Sequence, residues 1–92
     1  MALYVEVESE AQVREAAGAG ATRLLVDTQT PATVKAWKGI ARGLSPSLEL
    51  EATGGITLEN VRSYAEAGID FVSIGALTHS VKAADVALEV KA

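Results

Sequence analysis

The sequence predicts an α/β fold in which four consecutive βα units form a parallel sheet. Four short runs rich in aliphatic and β-branched residues recur along the chain, and segments with helical spacing of apolar residues separate them. Strands that alternate with helices in this way form parallel sheets through right-handed crossovers. The predicted strands cover residues 3–7, 23–27, 48–51 and 71–75, and the 92 residues suit a single domain over residues 1–92.

Each predicted helix has local signals for its beginning or its end. Ser9 and Gln12 form a capping-box pattern before the first helix, and Pro31 suits the first turn of the second. Thr57 is the expected cap of the third helix, and Gly68 should end it in a left-handed turn. The positions expected to face the core are Val13, Ala16 and Ala17 in the first helix, Val34, Trp37, Ala41 and Leu44 in the second, and Leu58, Val61, Tyr64 and Ala65 in the third.

An internal similarity supports these assignments, whereas the tail of the chain is ambiguous. Residues 19–26 can be laid over residues 67–74 so that Gly20 and Gly68 coincide, together with the strands that follow them. Residues 81–92 combine a helical pattern with an alternating one. We predict a short helical turn there, followed by an edge strand at residues 86–90.

Composition excludes several classes of function. The formal net charge is −4, with 12 acidic against 8 basic residues, and the basic residues are scattered, which argues against nucleic-acid binding. No apolar run approaches the roughly 20 residues of a membrane span, and the first residues lack a signal-peptide pattern, so no membrane partner and a cytoplasmic location are expected. Cysteine is absent, which excludes disulfides, cysteine nucleophiles and thiolate metal sites.

The predicted strands have one aliphatic face and one polar face, because alternate side chains of a strand share a face. The polar face carries Glu6, Asp27, Glu49, Glu51 and Ser73. Ligand sites of α/β proteins lie at the C-terminal ends of parallel strands, so carboxylates that converge there predict binding of Mg²⁺ or of ligand hydroxyl groups. The alternative is that Glu49 or Glu51 simply faces water on an open sheet.

Two glycine-containing turns follow predicted strands, at residues 52–55 and 75–80. Glycines let backbone amides approach a phosphate closely, and a helix that follows points further amides at it. Residues 54–55 are equally compatible with an ordinary tight loop. His79, the one histidine, lies beside the second turn, where it suits a phosphate ligand as well as a structural residue.

Two segments of the chain resemble the C-terminal third of the quinolinate phosphoribosyltransferase family. They are Glu-Ala-Thr-Gly-Gly-Ile-Thr-Leu-Glu-Asn-Val at residues 51–61 and Val-Ser-Ile-Gly-Ala-Leu-Thr-His-Ser at residues 72–80, of which residues 75–80 are the most specific part. Residues 5–8 and 24–27 share the resemblance. Family members are glycosyltransferases of NAD biosynthesis that convert quinolinate and phosphoribosyl pyrophosphate to nicotinate mononucleotide, pyrophosphate and CO₂ with Mg²⁺.

The resemblance implies a phosphoribosyl-binding role for the matching residues. Glu6 and Asp27 resemble the carboxylates that act at the ribose hydroxyls and hold the metal. Thr28 stands where the family usually has asparagine, and Thr53 stands where it usually has serine. The residues that match the family's phosphate pocket are Thr53, Gly54, Gly55, Gly75, Ala76 and His79.

The resemblance also implies that the chain is inactive by itself. The family's basic residues that hold quinolinate come from upstream segments, and Arg23 and Arg42 are not in motif positions. The expected ligand is phosphoribosyl pyrophosphate or nicotinate mononucleotide. A non-catalytic, self-associating half-barrel scaffold is the alternative function.

The resemblance further implies half of a TIM-like barrel, since the family uses an incomplete α/β barrel beside an N-terminal sandwich domain. Four parallel strands would leave open edges, so we predict a homodimer in which a second chain completes a barrel-like or continuous sheet. A flavodoxin-like open sheet is the competing arrangement.

Overall fold

The described residues form a five-stranded sheet with helices packed against it. The computed structural model describes residues 2–27, 29–54, 56–57, 59–73 and 81–86. The elements are β1 (Tyr4–Val7), α1 (Glu10–Gly18), β2 (Arg23–Asp27), α2 (Pro31–Leu44), β3 (Glu49–Thr53), α3 (Val61–Ala67), β4 (Phe71–Val72) and β5 (Val81–Lys82).

The strands lie in the order β1-β2-β3-β4-β5, so their order in the sheet follows the chain. The first four strands are parallel, and β5 is antiparallel to β4. The predicted α/β fold with a mainly parallel sheet is therefore confirmed, and the sheet is open rather than closed.

The consecutive strand order decides between the two arrangements expected from the sequence. A flavodoxin-like sheet has the order 2-1-3-4-5, so that alternative is wrong. Right-handed crossovers between consecutive strands leave all the helices on one face, and α2 accordingly contacts both α1 and α3. This arrangement is consistent with part of a barrel. The completion of that barrel by a second chain stays a prediction.

The first two helices begin where the sequence predicts. Ser9 is the N-cap of α1, and its Oγ accepts a hydrogen bond of 3.3 Å from the backbone N–H of Gln12. The Gln12 side chain accepts in return from the N–H of Glu8, one residue earlier than in a standard capping box. Thr30 caps α2, with Pro31 in the first turn.

The third helix begins later than its predicted cap. The helix covers Val61–Ala67, but Thr57 caps the turn that leads into it, because the Val61 N–H donates to the Thr57 carbonyl at 2.9 Å. The Thr57 N–H donates to Asn60 Oδ1 at 2.8 Å, and the Asn60 N–H donates to Thr57 Oγ1 at 3.2 Å. Gly68 ends the helix with φ 111°, which confirms the predicted left-handed turn, and Gly20 at φ 88° matches it.

The core lies between the helices and one face of the sheet, and it contains most of the expected positions. Leu44 is an exception with 52% exposure, because it is the last residue of α2 and lies beyond Ala41, the last buried position of that helix. Leu58 lies outside the described residues. The buried apolar residues are Val7, Val13, Ala16, Ala21, Leu24, Val26, Val34, Trp37, Ala41, Leu48, Leu50, Ala52, Ile56, Val61, Tyr64, Ile69, Val72 and Ala83.

The end of the described chain differs from the prediction. Val81–Lys82 forms a strand against β4, which the sequence analysis missed, and residues 83–86 form the predicted helical turn directly after it. Val86 therefore belongs to a helical turn and not to the expected edge strand. Residues 87–90 of that expected strand lie outside the described part of the chain. No helix of the described residues is long and apolar enough to span a membrane.

Candidate functional site

The sheet face opposite the helices carries the polar side chains, as the alternation in the sequence predicts. Along β2, Leu24 and Val26 are buried while their neighbours are more exposed, and Leu50 is buried in the same way along β3. We call the polar side the open face. Its described residues are Tyr4, Glu6, Arg23, Leu25, Asp27, Glu49, Glu51, Thr53, Phe71, Ser73 and Lys82.

Strand register brings several predicted site residues to the C-terminal part of the open face. Asp27 and Thr53 are direct cross-strand neighbours on β2 and β3. Glu6 on β1 is paired with Leu25, so it lies one side-chain row below Asp27. Both carboxylates are exposed. They therefore share the open face on adjacent strands.

The first glycine turn leaves β3 directly beside this pair. Gly54 follows Thr53 and has φ 72°, a conformation that favours glycine. The Ser73 N–H donates to the Ala52 carbonyl at 3.2 Å, so the chain after β4 also leaves the sheet next to this turn. Gly55, Gly75, Ala76 and His79 lie outside the described residues, and their phosphate-binding role stays a prediction.

A second polar cluster, around Arg23, occupies the N-terminal part of the open face. Arg23 Nη1 lies 3.0 Å from Glu51 Oε1, and Arg23 Nη2 lies 3.2 Å from Glu49 Oε1. The guanidinium also stacks between two rings, 4.9 Å from the centroid of Tyr4 and 3.7 Å from that of Phe71. We call these five residues the Arg23 cluster.

The Arg23 cluster was not predicted from the sequence, although the sequence contains a signal for it. Arg23 alternates onto the same face as Glu49 and Glu51, and the opposite charges on one face indicate an ion pair. The roles expected for Glu49 and Glu51, binding of a metal or of hydroxyl groups or exposure to water, do not include a cation of the sheet. In the structure only 10% of the Glu51 side chain is exposed, and its partner is a cation of the same sheet.

Hydrogen bonding sets the charge state of the cluster. Burial alone would lower the pKa of the Arg23 guanidinium, but hydrogen bonds to Glu51 and Glu49 outweigh it and raise that pKa above its ordinary value. Arg23 Nε is buried without a hydrogen-bond partner among the described residues. The guanidinium therefore stays charged and is held by its two terminal nitrogens.

The remaining carboxylates of the open face suit a metal ion only together with a ligand. Within the described residues, no group of three or more His, Cys, Asp or Glu side chains is arranged to hold a metal. Mg²⁺ usually takes one or two carboxylates and completes its shell with water and substrate phosphate oxygens. Glu6 and Asp27 lie on this face on adjacent strands, and their binding of a metal ion stays a prediction.

Few described cations face the open side. Those of the helices belong to the opposite layer: Arg14 on α1, Lys35, Lys38 and Arg42 on α2, and Arg62 on α3. On the described part of the sheet, Arg23 is held by two carboxylates, and Lys82 is paired with Phe71 at the N-terminal end of β4.

One cleft of the described region lies away from the predicted site. It has a volume of about 240 Å³ and lies at the N-terminal end of β3 and β4, where Glu49, Asp70, Phe71 and Lys82 line it. Ligand sites in parallel sheets lie at the other end of the strands. Lys38 already neutralises Asp70 there, at 2.7 Å, so the strand register is the better guide to the site.

The sequence of the chain matches a known family. The family described as "Quinolinate phosphoribosyl transferase, C-terminal domain" matches residues 1–89. The chain belongs to this family. The resemblance stated from the motifs is thereby confirmed over nearly the whole sequence.

Relatives in bacteria, archaea and animals support the assignment. The chain is 41% identical over 88 residues to the probable nicotinate-nucleotide pyrophosphorylase [carboxylating] of Bacillus subtilis, which covers 96% of this chain and 29% of that protein. It is 37% identical to the corresponding probable enzyme of Methanothermobacter thermautotrophicus, over 95% of this chain and 32% of that protein. The human nicotinate-nucleotide pyrophosphorylase [carboxylating] is 36% identical to this chain, in a match that covers 96% of this chain and 30% of the human protein. The chain therefore spans about three tenths of the length of these relatives.

Proposed function

We propose that the chain is the phosphoribosyl-binding part of a quinolinate phosphoribosyltransferase. Its ligand is phosphoribosyl pyrophosphate or the product nicotinate mononucleotide, in the reaction of NAD biosynthesis that the relatives' names describe. The observation that carries the proposal is the register of β2 and β3, because it puts Asp27 beside Thr53 at the start of the Gly54 turn.

Each part of this site has a chemical counterpart in the ligand. The backbone amides of the glycine turn suit a phosphate group, and Thr53 adds a hydroxyl donor. Glu6 and Asp27 suit the ribose hydroxyls, since an ionised carboxylate accepts hydrogen bonds. Mg²⁺, which the family uses, would be held by the same two carboxylates and would neutralise the ligand's phosphate charge.

The chain by itself is proposed to be inactive. Quinolinate carries two carboxylates that require cations, and the described open face offers Arg23, already engaged, and Lys82 at the opposite end from Thr53. An assay for nicotinate mononucleotide with quinolinate, phosphoribosyl pyrophosphate and Mg²⁺ tests this. Product formation by the chain alone would contradict the proposed inactivity.

The cytoplasmic location expected from the sequence also stays a prediction, to be checked by cell fractionation.

Binding is tested by titrating the chain with phosphoribosyl pyrophosphate in the presence of Mg²⁺. We expect Asp27→Asn and Glu6→Gln each to weaken binding about tenfold or more, since each removes a charged acceptor worth about 1.5–3 kcal/mol. Glu66→Gln is the matched control, because Glu66 is exposed on α3 in the opposite layer.

The outcomes separate the proposal from its alternative. Loss of affinity in the two open-face variants, with Glu66→Gln unchanged, supports the phosphoribosyl site. Absence of binding by the unmodified chain contradicts it and favours a non-catalytic, self-associating half-barrel scaffold. Self-association is a part of both hypotheses and therefore does not distinguish them.

A further inference from the structure

The side chain of Tyr64 reaches from α3 to the loop that follows β2. Its hydroxyl donates a hydrogen bond of 2.6 Å to the backbone carbonyl of Gln29, a residue 35 positions away in the sequence. This distance is within the range of a well-formed O–H···O hydrogen bond. Tyr64 is only 8% exposed, so its ring is part of the core. The hydrogen bond therefore ties the helical layer to a loop at the C-terminal end of the sheet.

The carbonyl of Gln29 needs a partner from outside its own helix. Thr30 is the N-cap of α2, and its carbonyl accepts from the N–H of Val34 at 3.0 Å. Gln29 lies one residue before this cap, so its carbonyl is outside the hydrogen-bond ladder of α2. Gln29 is only partly exposed, and an unpaired backbone carbonyl in such a position costs free energy. The Tyr64 hydroxyl supplies the missing donor.

Gln29 is also in contact with the proposed ligand site. It lies two residues after Asp27, and its side-chain Nε2 donates to the Asp27 carbonyl at 3.4 Å. Asp27 is the last residue of β2, so the sheet fixes the chain only up to this position. The hydrogen bond from Tyr64 fixes it again two residues further on. The backbone of Asp27 is therefore held on one side by the sheet and on the other by Gln29.

The other end of this connection belongs to the segment that follows the first glycine turn. The Tyr64 N–H donates to the Asn60 carbonyl at 3.3 Å. Asn60 and Thr57 are joined in the turn that lies between Gly54 and α3. Tyr64 thus links the two parts of the proposed site, which are the carboxylate at the end of β2 and the turn after β3.

The internal similarity of the chain indicates that this helix end does not require a tyrosine. The alignment that lays residues 19–26 over residues 67–74 puts Ala16 at the position of Tyr64. Both residues are buried. The Ala16 carbonyl accepts from the N–H of Ala21 at 3.1 Å, and the Tyr64 carbonyl accepts from the N–H of Ile69 at the same distance of 3.1 Å. Alanine is therefore sufficient to end a helix in this way, and the tyrosine adds the contact with the loop.

We propose that Tyr64 is a positioning residue of the ligand site, which holds Asp27 in place through Gln29. In this role the hydroxyl does not touch the ligand. It restricts the loop, so that the Asp27 carboxylate stays beside Thr53. A carboxylate that is already in position loses less conformational freedom when a ribose hydroxyl binds, and such preorganisation increases affinity. The consequence for ligand binding rests on the proposed function, whereas the anchoring of the loop does not.

The anchoring is tested without a ligand by Tyr64→Phe, which removes the hydroxyl and keeps the ring. The chain has two tyrosines, so Tyr4→Phe, at an exposed side chain of β1, is a matched control with the same chemical change. We expect the NMR order parameters of the Gln29 and Thr30 amides to fall from about 0.85, the value of rigid backbone, to below about 0.6 in Tyr64→Phe alone. The amides of α1 should keep their values in both variants.

Two results of this measurement would overturn the proposal. Unchanged order parameters at Gln29 and Thr30 in Tyr64→Phe would show that the loop is held without the hydroxyl. A fall that extends equally to α1 would show a general loss of packing and not a local release. A fall that is confined to the loop supports the anchoring.

The effect on the site is measured by titration with phosphoribosyl pyrophosphate and Mg²⁺. We expect Tyr64→Phe to weaken binding about fivefold, as the loss of one neutral hydrogen bond implies, and Tyr4→Phe to bind like the unmodified chain. In the background of Asp27→Ala, which leaves no carboxylate to position, Tyr64→Phe should weaken binding by less than about twofold. An equal loss in both backgrounds would overturn the proposal, because Tyr64 would then act independently of Asp27.

Failure of this inference can be told apart from failure of the proposed function. Binding by the unmodified chain with the same affinity in Tyr64→Phe would overturn the positioning role and leave the proposed function intact. Absence of binding by the unmodified chain would contradict the proposed function, and the order parameters would then decide whether Tyr64 anchors the loop.

Discussion

Arg23 combines two roles that are usually separate in a sheet. Its guanidinium neutralises Glu49 and Glu51, and it also fills the space between the rings of Tyr4 and Phe71. Only 13% of the side chain is exposed. Because Glu51 is buried as well, removing the cation would leave a carboxylate without its partner in a poorly solvated position.

Arg23→Met is therefore expected to lower the free energy of unfolding by about 3 kcal/mol, most of which is the cost of the unpaired Glu51. The double variant Arg23→Met with Glu51→Gln should recover about half of that loss, since a neutral amide tolerates burial better than a carboxylate. Urea unfolding of the unmodified chain, of both variants and of Glu51→Gln alone gives a complete double-mutant cycle. A loss below about 1 kcal/mol in Arg23→Met would show that the ion pairs contribute little.

The pH dependence of this cluster follows from the raised pKa of Arg23. A raised pKa in the folded state adds stability that is fully present below the unfolded value and is lost only as the pH rises through the folded value. The pKa of arginine lies far above neutral pH. We therefore expect the stability difference between the unmodified chain and Arg23→Met to stay constant from about pH 6 to pH 9, as measured by urea unfolding.

At the scale of single elements, glycines of the helical layer have different roles. Gly39 lies inside α2 and is exposed. A Cβ added at Gly39 would have no neighbouring atom within 4 Å. Gly68 has φ 111° and ends α3, and its added Cβ would meet Lys38 Cγ at 2.8 Å. Lys38 is held there by its ion pair of 2.7 Å with Asp70. Gly68 therefore lies at the end of α3, close to Lys38 of α2, and three residues before β4 begins at Phe71.

Alanine at these two positions is expected to act in opposite directions. Gly39→Ala should raise the free energy of unfolding by about 0.5–1 kcal/mol, because alanine loses less backbone entropy in a helix. Gly68→Ala should lower it by about 1–2 kcal/mol, since alanine is strained at positive φ and displaces Lys38. Thermal unfolding of the two variants checks both signs, and destabilisation by Gly39→Ala would contradict the described exposure of that position.

Local signals predicted most element boundaries, because the interactions that cause them are local. Ser9, Pro31 and Gly68 lie at or next to helix ends, where a side chain or a backbone conformation acts within one turn. The strand Val81–Lys82 could not be predicted in this way. It is two residues long, and it is extended because it pairs with β4, a partner that only the tertiary fold supplies.

For the molecule as a whole, the candidate site was predictable in part. The alternation of side chains predicted the shared face of Glu6 and Asp27, and the motifs predicted the Gly54 turn. The pairing of Glu51 with Arg23 depends on register between β2 and β3, which alternation does not specify. The choice between two strand orders likewise required the structure.

The proposed site makes a prediction about the stability of the whole chain. Two exposed carboxylates bind Mg²⁺ weakly by themselves but can share it with a phosphoribosyl ligand. We expect MgCl₂ alone to leave the unfolding midpoint Tm unchanged, and phosphoribosyl pyrophosphate with Mg²⁺ to raise it, since a ligand of the folded state stabilises by mass action. Asp27→Asn should remove this increase. An equal increase in Asp27→Asn would place the ligand elsewhere.

The consecutive strand order also bears on how the chain folds. Contacts between successive strands join residues that are 19, 26 and 20 positions apart, at Leu3–Thr22, Arg23–Glu49 and Leu50–Asp70. The entropy of loop closure grows only slowly with length, so these three closures have similar costs. Each described parallel pair therefore joins strands that are neighbours along the chain. During synthesis, β1 can pair as soon as β2 emerges, and each later unit can then add to a sheet that already exists.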